Sequence, residues 1–399
     1  MDALSADVVD PPRDRLGSGQ DETAWRAGRV IRVLHFADII NREDFIHNVL
    51  GHCDRRTFSM SAVTLDGRGT LNADPGGLPV FNIAAPHRRD LLRAVAALRA
   101  LLQRERIDIL HAHHYLPNLV AMVAALRLPV ALVVGRHYSD AIYRLSQGLR
   151  RQAYLGLEAL CNRSAATIVV PATAVESVLL AQGVSPSKIV RIPYGFAFER
   201  YAVPTDTTHA LSLWGHEPGM RLATFARLHP EKGHRHLVEA LAELTGEGIR
   251  ATWIVAGDGA ARPGLERLVE ERGLKERVRF VGWRTDVLAL MAAADVVVQP
   301  TLHEAFSQVM VEAMALGRPL VISEVSGVRD LVRDGETGLV VPPGDNRALA
   351  AAIRRLRDQG VAARIGTSAW HAVRETLDIR TIAPRYEAMY RLIVERRAP

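Results

Sequence analysis

The chain has 399 residues, 48% hydrophobic and 24% charged, proportions that exclude a wholly disordered or collagen-like polymer. At about 150 residues per domain, this length accommodates two or three domains, each burying its own core. The formal charge is +6, and of the 50 basic residues only Lys188, Lys232 and Lys275 are lysine. Genomic base composition is the ordinary source of such an arginine skew, so the surplus by itself names no partner. Residues 1–28 read as a polar, mobile leader without a signal-peptide core. Six acids (Asp2, Asp7, Asp10, Asp14, Asp21, Glu22) meet three arginines there, among Pro11, Pro12, Gly17 and Gly19.

Beyond the leader, short apolar runs rich in β-branched residues alternate with helical patterns. Strands are predicted over 30–36 and 58–65. A helix follows over 88–104, where Leu91, Val95, Leu98 and Leu102 share one face. Next come a strand over 107–113, an apolar helix over 119–126 and a strand over 130–134. An amphipathic helix then carries Ile142, Leu145, Leu149 and Leu160 opposite Arg144, Arg150 and Arg151. Strands over 166–170 and 188–192 flank a helix over 174–181. Around 203–218 the rhythm lapses into Pro204, Trp214, Gly215 and Pro218. It restarts with strands at 221–225, 252–256, 279–281, 296–299 and 319–322. The helices of this second block are predicted at 234–244, 263–271, 287–293, 307–316 and 347–357. Such alternation implies parallel sheets covered on both faces. The predicted fold class is therefore α/β: two doubly wound Rossmann-like domains, 29–203 and 204–382, facing each other across a cleft. Ligands of open α/β sheets lie beyond the carboxyl ends of the strands, so the chemistry is expected in that cleft.

Cys53 and Cys161 make neither a CxxC pair nor a disulfide framework, which fits buried thiols in a reducing, cytoplasmic setting. No stretch reaches the roughly 18 uncharged apolar residues of a membrane span.

Two clusters carry chemistry. Phe225-Ala-Arg-Leu-His-Pro-Glu-Lys-Gly233 follows a predicted strand and precedes a predicted helix. A strand end, a tight turn and a helix start together make an anion site, because orphan N–H groups and the helix dipole point at the ligand. Arg227 adds a planar fork and Lys232 a point charge, the two cationic shapes suited to a diphosphate. Read alone, the same residues also fit a solvated loop. The second cluster is Glu304-Ala-Phe-Ser-Gln-Val-Met-Val-Glu312, a loop running into a helix. Glu304 is placed to accept from sugar hydroxyls and Glu312 to grip a ribose diol. Two exposed helix-face glutamates are the plain alternative. As a glycosidase pair they stand too far apart, since eight helical residues span ~12 Å against the ~5–9.5 Å such pairs use.

The order Arg227…Lys232, Glu304-x7-Glu312, Ala-Met-Ala-x-Gly-x-Pro319 and Asp334-Gly-Glu-Thr-Gly-Leu-Val-Val-Pro342 resembles the retaining family 4 glycosyltransferases (glycosyl transferases group 1) of the GT-B fold. Val255-Ala-Gly-Asp-Gly259, Val278-Arg-Phe-Val-Gly282 and Asp295-Val-Val-Val-Gln-Pro300 extend the likeness over most of 221–345. The N-terminal half resembles the family more loosely, through Asp108-Ile-Leu-His-Ala-His113 and Ile192-Pro-Tyr-Gly195. The resemblance implies a nucleotide-diphosphate sugar donor in the C-terminal domain and an acceptor in the N-terminal one. That acceptor would be a glycan, a lipid-linked saccharide or a small molecule. The transferred group would be a hexose, the base uridine or guanosine, the anomeric configuration retained and no cofactor or metal required. Arg227 and Lys232, with Gln308 and Val309, would bind the diphosphate. Glu304, Ala305, Phe306 and Ser307 would meet the sugar, Glu312 the ribose, and Val281 with Gly282 the base. His137 matches the histidine that the family places near the reacting sugar, and is the catalytic candidate with Glu304. Residues 383–399, with a helix from Arg385, resemble the segment that crosses back to the N-terminal domain.

The sequence departs from the family in places. Loop 37–44 lacks the family's glycine-rich turn and offers only Asn41 for a left-handed position. Ala305 and Ser307 replace glycines, and Tyr194-Gly-Phe-Ala197 stands where Asn-Gly-Val-Asp is common. Two other functions use the same fold: a nucleotide-sugar epimerase, and a non-catalytic nucleotide-sugar-binding relative. As a metal cluster His111, His113 and His114 are weak, because His114 points away from the strand face of the other two and no third ligand is evident. No RNA module or aromatic-interleaved basic tract is present, so no nucleic acid partner is expected. Arg88, Arg89, Arg93, Arg99, Arg104, Arg144, Arg150 and Arg151 concentrate charge on N-terminal helices. With a lipid-linked acceptor that face would rest on an anionic membrane surface, making the protein cytoplasmic and peripheral.

Overall fold

The computed structural model describes residues 29–40, 45–65, 78–83, 85, 90–137, 148–201, 207–215, 218–304 and 306–397, and of Arg150 the backbone alone. The leader, Asn41, Arg88, Arg89, Ile142, Arg144, Leu145, Pro204 and Ala305 therefore lie outside the described residues. In the N-terminal domain seven strands pair in parallel. They are β1 (Ile31–Ala37), β2 (Phe58–Thr64), β3 (Val80–Asn82), β4 (Ile109–His113), β5 (Ala131–Gly135), β6 (Thr167–Val170) and β7 (Ile189–Arg191), in the order β3-β2-β1-β4-β5-β6-β7. The C-terminal sheet comprises β8 (Met220–Phe225), β9 (Ala251–Ala256), β10 (Val278–Gly282), β11 (Val296–Gln299), β12 (Leu320–Ser323) and β13 (Leu339–Val341). Its order is β10-β9-β8-β11-β12-β13, again all parallel.

Helices cover both faces of each sheet. On one N-terminal face Leu34, Phe36 and Leu110 meet α2 (Leu91–Arg104), α3 (Tyr115–Ala124) and α5 (Thr173–Ala181). The other face buries Ile31, Val33, Ile109 and Val133 against α1 (Phe45–His52) and the C-terminal helix. Among these helices, α4 (Leu149–Ser164) packs beside α3. The C-terminal sheet lies between α7 (His234–Gly246), α8 (Arg262–Glu271) and α11 (Asn346–Arg355) on one side. On its other side lie α6 (Thr208–Ser212), α9 (Val287–Ala293), α10 (Gln308–Ala315) and α12 (Gln359–Leu377).

Several boundaries differ from the sequence reading. Helix α3 begins at Tyr115, not residue 119, because Pro117 sits in the first turn, where a missing N–H removes no intrahelical bond. Helix α1, strands β3 and β13 and helix α12 were not anticipated. The two short strands carry only three residues each, too few for a periodic signal. The returning helix α13 (Ile379–Glu395) starts six residues before Arg385 and contains Pro384. Asp378 caps it, its carboxylate accepting from the Arg380 N–H at 2.8 Å. The outward crossing also comes earlier than residue 203: Tyr194, Phe196, Phe198 and Tyr201 are already packed into the C-terminal core. The two crossings touch, since Phe196 N–H donates to Leu377 O (2.9 Å) and Ile379 N–H to Phe196 O (3.0 Å). From there α13 buries Ile379, Ile382, Tyr386, Met389, Tyr390 and Ile393 against the N-terminal domain. Each such side chain contributes roughly 1.5–3 kcal/mol, so this seam holds the two domains together.

Arg136, immediately after β5, is fully buried and pairs with Glu158 of α4 at 2.7 Å. Breaking a buried pair leaves an uncompensated charge. Glu158→Ala should therefore lower stability by about 3 kcal/mol in denaturant unfolding. A loss below about 1 kcal/mol would mean that Arg136 finds other compensation.

Candidate active site

Each strand order reverses once. In the N-terminal sheet β4 lies on the opposite side of β1 from β2, and in the C-terminal sheet β11 lies on the opposite side of β8 from β9. The diverging crossovers leave a crevice at each reversal, at the carboxyl ends of the strands. The two crevices face each other across one cavity of about 520 Å³. Ile39, Phe45, Ile46, His114, His137 and Tyr194 line it from the N-terminal side. Phe225, Ala226, Arg227, Lys232, Gln299, Glu304, Phe306, Ser307, Gln308 and Val309 line it from the other.

On the C-terminal side the loop after β8 turns through Pro230–Lys232 into α7. Gly233 makes that turn at φ +67°, and a Cβ there would lie 1.9 Å from the Pro300 carbonyl oxygen. Only glycine permits this approach, which sets the Lys232 loop against the loop following β11. Lys232 Nζ thereby reaches Glu304 Oε1 at 3.0 Å. Burial pushes the Glu304 carboxyl above its usual range, against the pull of Lys232. Arg227 extends into solvent, 81% exposed, 3.9 Å from Glu231. Ser307 caps α10, its hydroxyl accepting from the Met310 N–H at 3.2 Å. The first-turn N–H groups of Gln308 and Val309 have no intrahelical acceptor, and both residues line the cavity. A cationic loop, a carboxylate and a helix N-terminus thus converge, an arrangement that fits a diphosphate carrying a hydroxylated group.

On the N-terminal side the cavity wall is backed by histidines. His35 from β1, His111 and His113 from β4 are buried, with ring nitrogens within 4.8 Å of one another. The third imidazole that the sequence did not reveal is His35, seventy-six residues before His111 and aligned with it only by the β1–β4 register. His114 is not part of this group. His137, following β5, lies 2.9 Å from His113 through Nε2 and 3.0 Å from the Tyr194 hydroxyl through Nδ1. Both its ring nitrogens are engaged. Burial lowers the pKa of His35 to about 3 and holds those of His111, His113 and His137 well below the usual range, so all four rings are neutral at pH 7.

Of the residues expected at the site, His137, Arg227, Lys232, Glu304, Phe306, Ser307, Gln308 and Val309 line one cavity. Glu312 does not: it sits half-buried one turn further along α10. Val281 and Gly282 also stand apart, at the end of edge strand β10, where Gly282 O accepts from Gly257 N–H at 2.8 Å. In loop 37–44, Ile39 reaches the cavity. Phe45, His114, Tyr194 and Gln299 are lining residues that sequence reasoning missed. Tyr194 alone had a signal, as the replacement of a common asparagine.

His114 has φ 69° and ψ 171°, a region that essentially only glycine occupies, and its ring is exposed to the cavity. Such strain amounts to roughly 1–3 kcal/mol and is relieved by glycine at the expense of backbone entropy. His114→Gly should raise unfolding stability by about 1 kcal/mol in a denaturant titration. A destabilised variant would mean that the ring's contacts outweigh the backbone strain.

Comparison with known proteins places this geometry. Residues 219–359 match the family model described as glycosyl transferases group 1, and residues 43–195 match the glycosyl transferase 4-like domain. The chain is 41% identical over 134 residues to an alpha-D-kanosaminyltransferase of Streptomyces kanamyceticus, covering 33% of this chain and 35% of that protein. It is 31% identical over 313 residues to a D-inositol 3-phosphate glycosyltransferase of Mycobacterium marinum, covering 72% of this chain and 67% of that protein. Among solved structures it is similar to Anabaena HepE in complex with UDP, with a TM-score of 0.75 and 23% identity over 90% of this chain and 99% of that one. Matched in order across both domains, with two parallel sheets facing over one cleft, the chain belongs to the glycosyl transferases group 1, the family 4 glycosyltransferases of the GT-B fold.

Proposed function

We propose that the protein transfers a hexose from a nucleoside-diphosphate sugar, UDP-linked in preference to GDP-linked, to an acceptor on the N-terminal side of the cleft. The configuration at the anomeric carbon would be retained and no metal ion required. The observation that carries this reading is the Lys232–Glu304 pair at 3.0 Å, set beside the N-terminal turn of α10 inside the shared cavity. Departure of a nucleoside diphosphate develops negative charge on its phosphates. Arg227, Lys232 and the N–H groups of Gln308 and Val309 would stabilise that charge as it forms. They supply the positive field for which other transferases use a cation. Positive charge grows on the sugar ring, and Glu304 would stabilise it without bonding to it. Phe306 and Ser307 would flank the sugar, with Ala305 between them in sequence. The ribose and base would extend along α10 toward Glu312 and the end of β10 at Val281 and Gly282. UDP is favoured because HepE, with the same fold, binds UDP.

The acceptor reading includes a lipid-linked saccharide at an anionic membrane. Leu92 and Leu149, 85% and 89% exposed, stand on N-terminal helices that also carry Arg93 and Arg151. Arg99 and Arg104 are partly committed elsewhere, Arg99 to the carbonyls of Ala124 and Leu126 and Arg104 to Glu105.

A thermal-shift series with UDP, GDP, ADP and their sugars tests the donor, since a ligand of the native state alone raises the melting temperature by mass action. UDP should give the largest shift, and Lys232→Ala should remove most of it. In a transfer assay Lys232→Ala and Glu304→Ala should each reduce turnover roughly a hundredfold. Full activity in both folded variants would overturn the site assignment. EDTA should leave turnover unchanged; a loss restored by Mg²⁺ or Mn²⁺ would refute the metal-independent reading.

A further inference from the structure

The four neutral histidines do not end at His137. An unbroken run of close polar contacts crosses the N-terminal domain. The Tyr194 hydroxyl lies 3.0 Å from His137 Nδ1, and His137 Nε2 lies 2.9 Å from His113 Nδ1. His113 Nε2 lies 3.0 Å from His35 Nδ1, and His35 Nε2 lies 3.1 Å from the Tyr390 hydroxyl, which lies 2.8 Å from His111 Nδ1. The run starts at the cavity wall, passes through Tyr390 of α13, the helix that returns from the C-terminal domain, and finishes at His111 of β4. His111 Nε2 is buried and has no hydrogen-bond partner among the described residues.

Each neutral imidazole has one ring proton, so it passes the direction of one link on to the next, whereas the Tyr390 hydroxyl either passes it on or accepts from both sides. Three arrangements satisfy all five links. One, in which the Tyr390 oxygen accepts from both His35 and His111, leaves the Tyr390 hydroxyl proton buried without an acceptor; the two that remain differ in every tautomer. In one, all four histidines carry the proton on Nε2 and Tyr194 donates to His137. The spare proton is then the His111 Nε2–H, buried where nothing accepts it. In the other, all four carry it on Nδ1 and His137 donates to the Tyr194 oxygen. The spare proton is then the Tyr194 hydroxyl, in a residue that lines the cavity. His111 Nε2 lacks a partner in either case, but an orphaned buried N–H is rarer than an unfilled buried lone pair, and only the second arrangement leaves no buried proton without an acceptor. The second arrangement wins, since water or substrate can accept from Tyr194.

We propose that the His137–His113–His35–Tyr390–His111 chain holds these histidines in the Nδ1–H tautomer and so presents the Tyr194 hydroxyl as a donor to an oxygen of the nucleoside-diphosphate sugar. Tyr194 is the substrate-contacting group, and the histidines and Tyr390 are positioning residues. The inference rests on the glycosyl-transfer reading. The chain conducts no net proton, because His111 Nε2 ends it with no donor beyond; it fixes where one proton points. Two features support a built arrangement. The Tyr194 ring is stacked on Phe45 at 4.4 Å and meets Phe306 edge-on at 4.8 Å, so its hydroxyl has little freedom. A Cβ on Gly135 would sit 2.6 Å from His137 Nε2 and 2.7 Å from His113 Nδ1, so glycine leaves that link its room.

The test combines ¹⁵N ring-labelled histidine NMR with kinetics. Two-bond ¹⁵N–¹H spectra, assigned with single-histidine variants, should show His35, His111, His113 and His137 all as Nδ1–H tautomers. Tyr194→Phe should lower kcat about a hundredfold, as for loss of one charge-stabilising donor. Its UDP dissociation constant should change little. Tyr390→Phe, remote from the cavity, should lower kcat about tenfold, yet add nothing in the Tyr194→Phe background. Nε2–H or mixed tautomers in the unaltered protein would overturn the proposal. So would UDP binding with unchanged kcat in Tyr194→Phe, additive effects of the two substitutions, or one equivalent of zinc retained through dialysis. Failure of UDP, GDP and ADP alike to bind would instead overturn the glycosyl-transfer reading, with the tautomers still deciding the polarity of the chain.

Discussion

Every described strand in the two sheets pairs in parallel, and a parallel sheet has to be covered on both faces because its crossovers run there. With both faces closed by helices, backbone and side chains are free to meet a ligand only at the strand ends. The order reversals between β1 and β4 and between β8 and β11 part the crossovers at those ends. Setting the two reversals opposite each other turns two shallow crevices into one shared site. Cationic groups and a helix N-terminus come from one side and an aromatic, histidine-rich wall from the other.

The facing depends on a short seam. The chain leaves the N-terminal sheet after Arg191, and Phe196 then exchanges backbone hydrogen bonds with Leu377 and Ile379 as the returning segment passes it. Helix α13 completes the N-terminal core with residues from the far end of the chain, Tyr386 and Tyr390 among them. The same seam therefore supplies apolar burial and, through Tyr390, the polar link between His35 and His111. Buried polar runs of this kind are stabilising only when their members are satisfied, which makes the single unpartnered nitrogen of His111 informative.

Much of this was legible from residue order. Alternating β-branched runs and 3.6-residue periodicity located most strands and helices, since a buried parallel strand and an amphipathic helix each impose a local composition. The cationic cluster was legible for a similar reason: Arg227, Lys232, Glu304 and Ser307 lie on two short segments flanking strand ends, where motif and geometry coincide. Strands β3 and β13 escaped because three residues barely exceed one two-residue period, although β7, equally short, was anticipated. The early start of α13 escaped because Pro384 reads as a breaker, although a helix with this much tertiary burial tolerates it. His35 had no signal at all, being a polar residue in the buried run of an otherwise apolar strand whose other polar residue, Arg32, is exposed.

By itself, then, the sequence determined the fold class, the two-domain plan and the cationic half of the cleft, because each of these is written in contiguous residues and their spacing. Tertiary structure decided what stands opposite. The register of β1 on β4 brings His35 beside His111 and His113, the end of β5 adds His137, and the return of α13 adds Tyr390. Those groups are separated by up to 355 residues. Only strand pairing and helix packing bring such distant side chains within hydrogen-bonding reach, and no local pattern encodes which of them will meet.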